Sequence, residues 1–320
     1  MAGLGIWVIG ATAEAFLIQY NVLLCWWLTI KWARPGDRVA EVEEMLKTFE
    51  TENILNLEGL FLNSDRLRKV MEIVQFSSKP GTSVVFTRCE IDENSLQMAR
   101  TTASKAKAVK MNGIRACEDP MEALFEGEDL LELQKLDISS LELKATESFE
   151  NLLRRAPKLR HLVMAAARIS PTFNPSRAVS AISKMQNLVE LDLSYCTWIK
   201  GDDWGSAFGS LDTLAKLRII SVDLKNVEFE ITWLPSLTDL NVCGSKLEWS
   251  SFMEWVGTSS LTRLDVSSTD ITVEQLAEVG EHRGGRLPLA VIARRLRSVD
   301  EDRLHSLLKP LAEAKVDLVL

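Results

Sequence analysis

The apolar residues of this chain recur in a fixed order along most of its length. The clearest copies read L-x-x-L-x-L-x-x-(N/C/T)-x-L and lie at 133–143, 159–169, 188–198, 237–247 and 261–271. Within each copy the fourth and sixth positions are apolar and the residues beside them are mostly polar, as in a strand with one buried face. The pattern predicts one short strand per copy, followed by a segment that returns the chain to the next strand.

The fourth template position can be followed through the degenerate copies as well. It falls at Leu55, Val84, Val109, Leu136, Leu162, Leu191, Leu217, Leu240, Leu264, about Ala290, and Val316. Subtracting neighbouring numbers gives spacings of 23 to 29 residues, within the range of leucine-rich repeats. The chain therefore resembles the leucine-rich-repeat superfamily, and the ribonuclease-inhibitor type in particular. The resemblance implies an α/β solenoid, a curved horseshoe with parallel strands on the concave face and helical or irregular returns on the convex face.

The return segments differ in composition. Helix-forming residues at helical apolar spacing predict helices at 65–76, 118–130, 145–156 and 272–282. The segments 226–235 and 249–258 carry aromatic and β-branched residues instead. We expect these two returns to be irregular or 3₁₀.

An apolar run at 4–30 precedes the repeats and holds one charged residue, Glu14. Its 27 residues are enough to cross a hydrocarbon core of ~30 Å with some tilt. Tryptophans lie near both ends, as in an aromatic belt. We predict a single-pass transmembrane anchor over residues 1–34. A buried capping helix and a cleaved signal peptide are the alternatives.

Basic residues follow this run at Lys31, Arg34 and Arg38 and do not precede it. The positive-inside rule then predicts that the repeats face the cytoplasm or an organellar matrix, which includes the matrix side of the mitochondrial inner membrane. Residues 35–53 are predicted to form a linker and a capping helix. Residues 54–320 are predicted to form a repeat domain of about ten to eleven repeats.

One stripe of the predicted membrane helix combines small and polar residues. Gly3, Gly10, Glu14 and Asn21 share this stripe on a helical wheel. Small residues let a second helix approach closely, and polar residues can hydrogen bond across the contact. The stripe predicts contact with another membrane helix as well as with lipid. A protonated Glu14 without a partner is the alternative.

Charge and motif content bear on the class of function. The formal net charge is −8, which argues against nucleic acid as the main partner because phosphate binding needs a basic face. The sequence has three histidines, in different repeats, and no phosphate-loop, dinucleotide or metalloprotease motif. Cys89 and Cys196 fall at the inward ninth position and are expected to be small core residues. We expect no catalysis, no cofactor and no bound metal.

Two groups of residues are candidates for binding a protein partner. The first lies on the predicted concave face and comprises Val163, Ala165, Tyr195, Arg218, Ile220, Asn241 and Cys243. A concave face whose charges pair only with one another is the alternative there. The second group comprises Trp204, Trp233, Trp249 and Trp255, because tryptophan is enriched at binding hot spots. Core packing of the shorter repeats is the alternative for the tryptophans.

These observations favour a non-enzymatic, membrane-tethered scaffold for protein–protein interaction, such as an accessory or assembly subunit of a membrane complex. Two other classes share the repeat architecture. One is a substrate receptor of a ubiquitin ligase, and the other is an enzyme inhibitor like ribonuclease inhibitor. The repeat pattern alone does not distinguish among the three.

Overall fold

The computed structural model describes residues 54–58, 61–62, 82–116, 119–127, 129–272, 274–276, 288–294 and 316–319. The predicted membrane anchor, its glycine and Glu14 stripe, the capping helix and the predicted helix at 65–76 lie outside the described residues. We number the repeats 1 to 11 by their central strand residues.

Strands and helices alternate through the described chain. The strands are β1 (Ile54–Asn56), β2 (Phe61–Leu62), β3 (Ser83–Val85), β4 (Glu90–Ile91), β5 (Ala108–Lys110), β6 (Arg115–Ala116), β7 (Lys135–Asp137), β8 (Glu142–Leu143), β9 (His161–Val163), β10 (Arg168–Ile169), β11 (Glu190–Asp192), β12 (Lys216–Arg218), β13 (Asp223–Leu224), β14 (Asp239–Asn241), β15 (Lys246–Leu247), β16 (Arg263–Asp265), β17 (Leu289–Ile292) and β18 (Val316–Val319). The α-helices are α1 (Leu96–Ser104), α2 (Pro120–Phe125), α3 (Thr146–Arg155), α4 (Pro175–Ser183), α5 (Gly201–Phe208) and α6 (Trp249–Thr258), and a 3₁₀ turn covers Glu93–Ser95.

One strand from each repeat enters a single parallel sheet. Among the described residues this sheet has 11 strands, in the order β1-β3-β5-β7-β9-β11-β12-β14-β16-β17-β18. Shorter strands that follow the main ones pair in small parallel sheets of their own, β2-β4-β6, β8-β10 and β13-β15. The architecture is the α/β solenoid that the repeat pattern predicts, in which each repeat contributes one rung to a continuous ladder.

The predicted register is confirmed for the first nine repeats and wrong for the last two. Leu55 through Leu264 pair rung by rung as expected, but Leu264 pairs with Val291 and Val291 pairs with Leu318. The central residue of repeat 10 is therefore Val291, not Ala290. A shift of one residue exchanges the two faces of a strand, and Val291 is buried in the core whereas Ala290 is not.

The predicted returns are partly correct. The helix expected at 145–156 is α3, and the helix expected at 118–130 is the shorter α2. The return expected to be irregular at 249–258 is instead the ten-residue helix α6, so that expectation is wrong. The Glu248 carboxylate caps this helix by accepting from the backbone amides of Ser250 and Ser251, at 3.3 Å and 2.8 Å. The segment 226–235 contains no helix, as expected.

In three repeats the side chain at the inward ninth position hydrogen bonds to the backbone of the repeat before it; these side chains are Cys89, Cys196 and Ser245. The Cys196 thiol donates to the backbone carbonyl of Met164, with 3.1 Å between sulfur and oxygen. Ser245 occupies the same position two repeats later, and its hydroxyl donates to the carbonyl of Ile219 at 2.5 Å. Burial raises the pKa of Cys196 to about 12. The expectation that Cys196 is a small core residue is confirmed, because it is fully buried.

The different widths of strands and helices set the curvature. Neighbouring strands are ~4.8 Å apart, whereas a helix with its side chains is ~10 Å wide. Because α3, α4 and α5 pack in sequence against one another, the stack must bend with the sheet on its inner side. The face of the sheet that points away from the helices is therefore concave, and we call it the concave face. We call the face formed by the return segments the convex face.

Replacing Ser245 with alanine should weaken the stack at this rung. The Ser245 hydroxyl donates to Ile219 and also accepts from the backbone amide of Val222 at 3.0 Å, so the change leaves two buried backbone groups without partners. We expect a loss of ~1–3 kcal/mol in the free energy of unfolding, measured by urea denaturation. Ser268→Ala, at an exposed position, is the control and should change little. An equal effect of the two substitutions would contradict this role of Ser245.

Candidate partner-binding surface

The charged side chains at the centre of the concave face pair with one another. Glu190 of β11 contacts His161 of β9, with 3.1 Å between Nδ1 and Oε2, and Arg218 of β12, with 2.5 Å between Nη1 and Oε1. Burial by itself would raise the pKa of Glu190, but the hydrogen bonds from His161 and Arg218 and the charge of Arg218 hold it below its usual value. Arg218, a predicted partner contact, is thus held by its own sheet.

Further pairs extend this pattern along the sheet. Lys110 lies 3.6 Å from Asp137, and Arg263 lies 3.9 Å from Asp239. The pairs join neighbouring rungs, as expected where opposite charges stand side by side on parallel strands. The alternative of a self-paired charged face therefore holds for these positions.

Short polar side chains on the strands also have a structural role. In five of the described repeats the residue after the central one accepts a hydrogen bond from the backbone amide two residues later, at 2.9–3.0 Å between oxygen and nitrogen. These residues are Asn56, Asp137, Asp192, Asn241 and Asp265. The bond closes a turn at the end of the strand. Asn241, another predicted partner contact, has this turn as its observed role.

A band without charges crosses the concave face next to the charged rungs. It occupies the third and fourth positions after the central residue in repeats 3 to 9, and we call it the uncharged strip. Its members are Asn112, Gly113, Ser139, Ser140, Ala165, Ala166, Ser194, Tyr195, Ile220, Ser221, Cys243, Gly244, Ser267 and Ser268. Six strand spacings of ~4.8 Å make the strip ~29 Å long. A partner can cover a surface of this kind without burying a charge that has no partner.

Four of the predicted contacts, Ala165, Tyr195, Ile220 and Cys243, lie in the uncharged strip. Tyr195 is 53% exposed and is the largest side chain of the strip, whereas the other three are half-buried. Val163 is also half-buried and lies on β9, two positions before the strip residue Ala165. The structure thus brings the uncharged, mostly apolar residues among the predicted concave contacts into one region around Tyr195.

Tyr195 has a backbone conformation that favours glycine. Its φ is +62°, and the same position has positive φ in every repeat from 2 to 9. The residues at that position are Arg88, Gly113, Ser140, Ala166, Tyr195, Ser221, Gly244 and Ser268. A non-glycine residue in this region costs roughly 1–2 kcal/mol. Folding does not account for a large exposed aromatic residue at this strained position. We therefore consider Tyr195 the strongest candidate of the strip for contact with a partner.

The predicted tryptophans are mostly core residues. Trp204, Trp233 and Trp255 are buried, and the indole nitrogen of Trp255 donates to the carbonyl of Trp233 at 3.1 Å. They pack with Phe208, Phe229 and Phe252 at ring-centroid distances of 5.3 to 6.0 Å. The core alternative therefore describes these three residues. Their rings fill the space between α5 and α6, where the return of repeat 7 has no helix.

Trp249 differs from the other tryptophans because it is only partly buried. Its indole nitrogen donates to the Asp270 carboxylate at 3.0 Å, and its ring packs edge-on against Phe252. This hydrogen bond accounts for its polar atom, so Trp249 at the edge of the convex face is a weaker candidate than Tyr195.

The described residues offer little chemistry beyond contact. No cluster of three or more histidine, cysteine or carboxylate side chains in the described ranges could hold a metal ion. Of the three histidines, His161 is described and is paired with Glu190, while His282 and His305 lie outside the described residues. No helix in the described part of the chain is both long and apolar enough to span a bilayer.

Comparison with known proteins yields weak structural similarities. No protein-family model matches the sequence, and no curated protein is significantly similar to it. Solved structures with a similar fold include human 5T4 (Wnt-activated inhibitory factor 1, trophoblast glycoprotein), at 19% identity and a TM-score of 0.45 over 66% of this chain and 77% of that one. An internalin (inlF) from Listeria monocytogenes is 11% identical with a TM-score of 0.45, over 87% of this chain and 92% of that one. At these values neither similarity supports a conclusion about the partner.

Sequence reasoning missed the row of positive-φ residues that lie four positions after the central residues of repeats 2 to 9. It also missed a cavity of about 530 Å³ between the C-terminal halves of α3 and α4. The row does leave a signal, because serine, glycine or alanine occupies six of its eight positions. Tyr195 is conspicuous once the repeats are aligned at that position. The cavity leaves no such signal, since it arises from the packing of two helices from different repeats.

Tyr195→Gly should make the protein more stable. Glycine removes the steric cost of positive φ, so we expect the free energy of unfolding to rise by ~0.5–1 kcal/mol. Thr197→Gly, two residues later at an exposed position without positive φ, should instead lower it by ~0.5 kcal/mol. Urea denaturation measures both. A loss of stability in both variants would contradict this prediction. It would show that the contacts of the Tyr195 side chain stabilise the fold by more than its positive φ costs.

Glu190→Gln should show a pH-dependent effect. The pKa of Glu190 is lowered in the folded protein, so its stabilising contribution is present above the unfolded-state value of 4.5 and is lost as pH falls through the lowered value. We expect the variant to be less stable than wild type at pH 7 and to converge with it in acid. Denaturation midpoints from pH 7 to pH ~3 test this, with Glu254→Gln, at an exposed position, as the control. A constant difference across that range would contradict it.

Proposed function

We propose that this protein is a non-enzymatic scaffold that binds another protein through the uncharged strip and is tethered to a membrane by residues 1–34. An accessory or assembly subunit of a membrane complex is the specific form of this proposal. The observation that carries it is the strip itself, with Tyr195 exposed at its centre.

Several features support the strip as the contact. It has two rows of residues in the turns that directly follow the strands of a continuous sheet, so its atoms are held in place by the rungs on either side. Backbone hydrogen bonds link those rungs; the amide of Tyr195, for example, donates to the carbonyl of Ile220 at 2.8 Å. A rigid surface loses little conformational entropy on binding. An exposed tyrosine supplies a large contact area with few rotatable bonds.

The paired charges beside the strip determine what could bind. Glu190 is already satisfied by His161 and Arg218, and Asp239 by Arg263. A partner that brought a charge over the strip would have to desolvate it without compensation. We therefore expect an uncharged partner segment over the strip, with polar residues at its edges.

The proposal of a membrane tether rests on the sequence. The apolar run at 4–30 is followed by basic residues and by Pro35-Gly36, and a short connection would keep the repeats close to the bilayer surface. The stripe of Gly3, Gly10, Glu14 and Asn21 would provide a second contact, to another membrane helix.

Purification of the full chain in mild detergent, with quantitative mass spectrometry of co-eluting proteins, tests the two contacts separately. We expect Tyr195→Gly to reduce recovery of a specific set of partners roughly tenfold or more, because a central aromatic anchor is worth about 2 kcal/mol. Deleting residues 1–34 should abolish membrane retention in carbonate extraction and reduce recovery of the same set. Leu131→Ser, which alters an exposed apolar residue outside the strip, is the matched control.

Two results would count against the proposal. Unchanged partner recovery from Tyr195→Gly would exclude the strip as the main contact. Carbonate-extractable full-length protein would exclude the transmembrane tether.

A further inference from the structure

We propose that the protein associates with a second copy of itself through the convex face, with Ile231 of each copy seated in the cavity between α3 and α4 of the other. This contact goes beyond the proposed function and uses a different face. A protruding apolar residue flanked by acids and an apolar cavity rimmed by bases lie on the same side of the chain.

Ile231 is the protruding residue. It is 59% exposed in the helix-free return of repeat 7, and Glu228 and Glu230 beside it are exposed as well. The neighbouring rings of Phe229 and Trp233 are buried in the aromatic cluster. The exposed isoleucine therefore lies on a short segment with anchors on both sides of it.

Hydrogen bonds fix this segment further. The backbone amide of Phe229 donates to the hydroxyl of Ser251 on α6 at 3.3 Å, and the amide of Trp233 donates to the carbonyl of Glu230 at 3.0 Å. Ile231 is thus presented on an ordered turn, so its burial by a partner would cost little ordering entropy.

The cavity lies two to three repeats away on the same convex side. It has a volume of about 530 Å³ between the C-terminal halves of α3 and α4, a size typical of binding pockets. Leu153, Ala181 and Met185 provide its apolar part, and Arg154 and Lys184 are exposed at its rim. One isoleucine and parts of its neighbours fit within such a volume.

The charges around the two sites are opposite. Glu150 also lines the cavity, but both of its oxygens bond to Arg177, at 3.1 Å to Nε and 2.5 Å to Nη2. The Arg154 guanidinium donates to the Asn151 side chain at 2.7 Å, which orients it without neutralising it. Within the described residues no ion pair involves Arg154, Lys184, Glu228 or Glu230. The cavity rim thus carries basic charge and the segment around Ile231 carries acidic charge, and neither charge is used in an ion pair within the described residues.

A second copy is the occupant that this arrangement favours. The cavity calls for an apolar side chain between two carboxylates, and the chain itself presents one on a fixed turn. A two-fold contact would use each feature twice, once in each direction. Two convex surfaces touch over only a few repeats, and the cavity and Ile231 both lie within repeats 4 to 7.

The protein mass of the full chain in mild detergent, measured by light scattering after gel filtration, tests the contact. We expect the mass of two copies at concentrations of ~10–100 μM, a range in which weak complexes form, and a shift to one copy in high salt. Ile231→Asp should give the mass of one copy. Leu131→Asp, a change at another exposed apolar residue, should leave two copies, and the unfolding curves of the two variants should match.

Charge reversal tests the pairing itself. The double change Glu228→Lys and Glu230→Lys should weaken association at least ~10-fold through like-charge contact. Adding Arg154→Glu and Lys184→Glu in the same chain should restore it. When a copy with Ile231→Cys is mixed with one carrying Gln186→Cys, an intermolecular disulfide should form in the mixture and not with either copy alone.

One-copy mass at every concentration would overturn the proposal. Two-copy mass that persists in Ile231→Asp, or charge reversal without restoration, would place the contact elsewhere and overturn it as well.

Discussion

The parallel register of the main sheet is the constraint on which the rest of the structure depends. Each rung must place one apolar residue, such as Leu191 or Leu217, directly beside its neighbour in the core. The chain must then leave every strand in the same direction, and the left-handed residue four positions later achieves this in repeats 2 to 9. Because these positions are fixed for folding, only the outward positions can vary with function.

This division explains which features could be predicted from the sequence. Inward positions repeat at a constant spacing, so nine of the central residues could be read directly. The strand of repeat 10 reads Leu289-Ala290-Val291-Ile292. Apolar residues occupy both faces of this strand, so the alternation of apolar and polar residues that defines the register elsewhere is absent. The aromatic residues of the return at 249–258 suggest an irregular path, so the sequence prediction misses the helix in this segment. In the structure, Phe252, Trp255 and Val256 recur at helical spacing and are buried together.

The candidate surface could be predicted only in part, for a related reason. Tyr195 and Ile220 stand out because they are apolar at outward positions, and a sequence pattern shows this. Whether Glu190 is free or paired depends on side-chain geometry across three strands, which the pattern does not contain. Trp204 and Trp255 lie in return segments, where the buried positions do not recur at a constant spacing from repeat to repeat. Their burial depends on how α5 and α6 pack, and the sequence spacing does not reveal it.

The short return of repeat 7 connects the aromatic core with the convex face. A helix there would have continued the row from α5 to α6 and covered the apolar side chains between them. The 23 residues from Leu217 to Leu240 form no helix, and the rings of Phe229 and Trp233 fill the gap from a segment without regular secondary structure. With Phe229 and Trp233 committed to the core, the residues between them must include outward ones, and Ile231 is exposed where a polar residue would have served folding equally well.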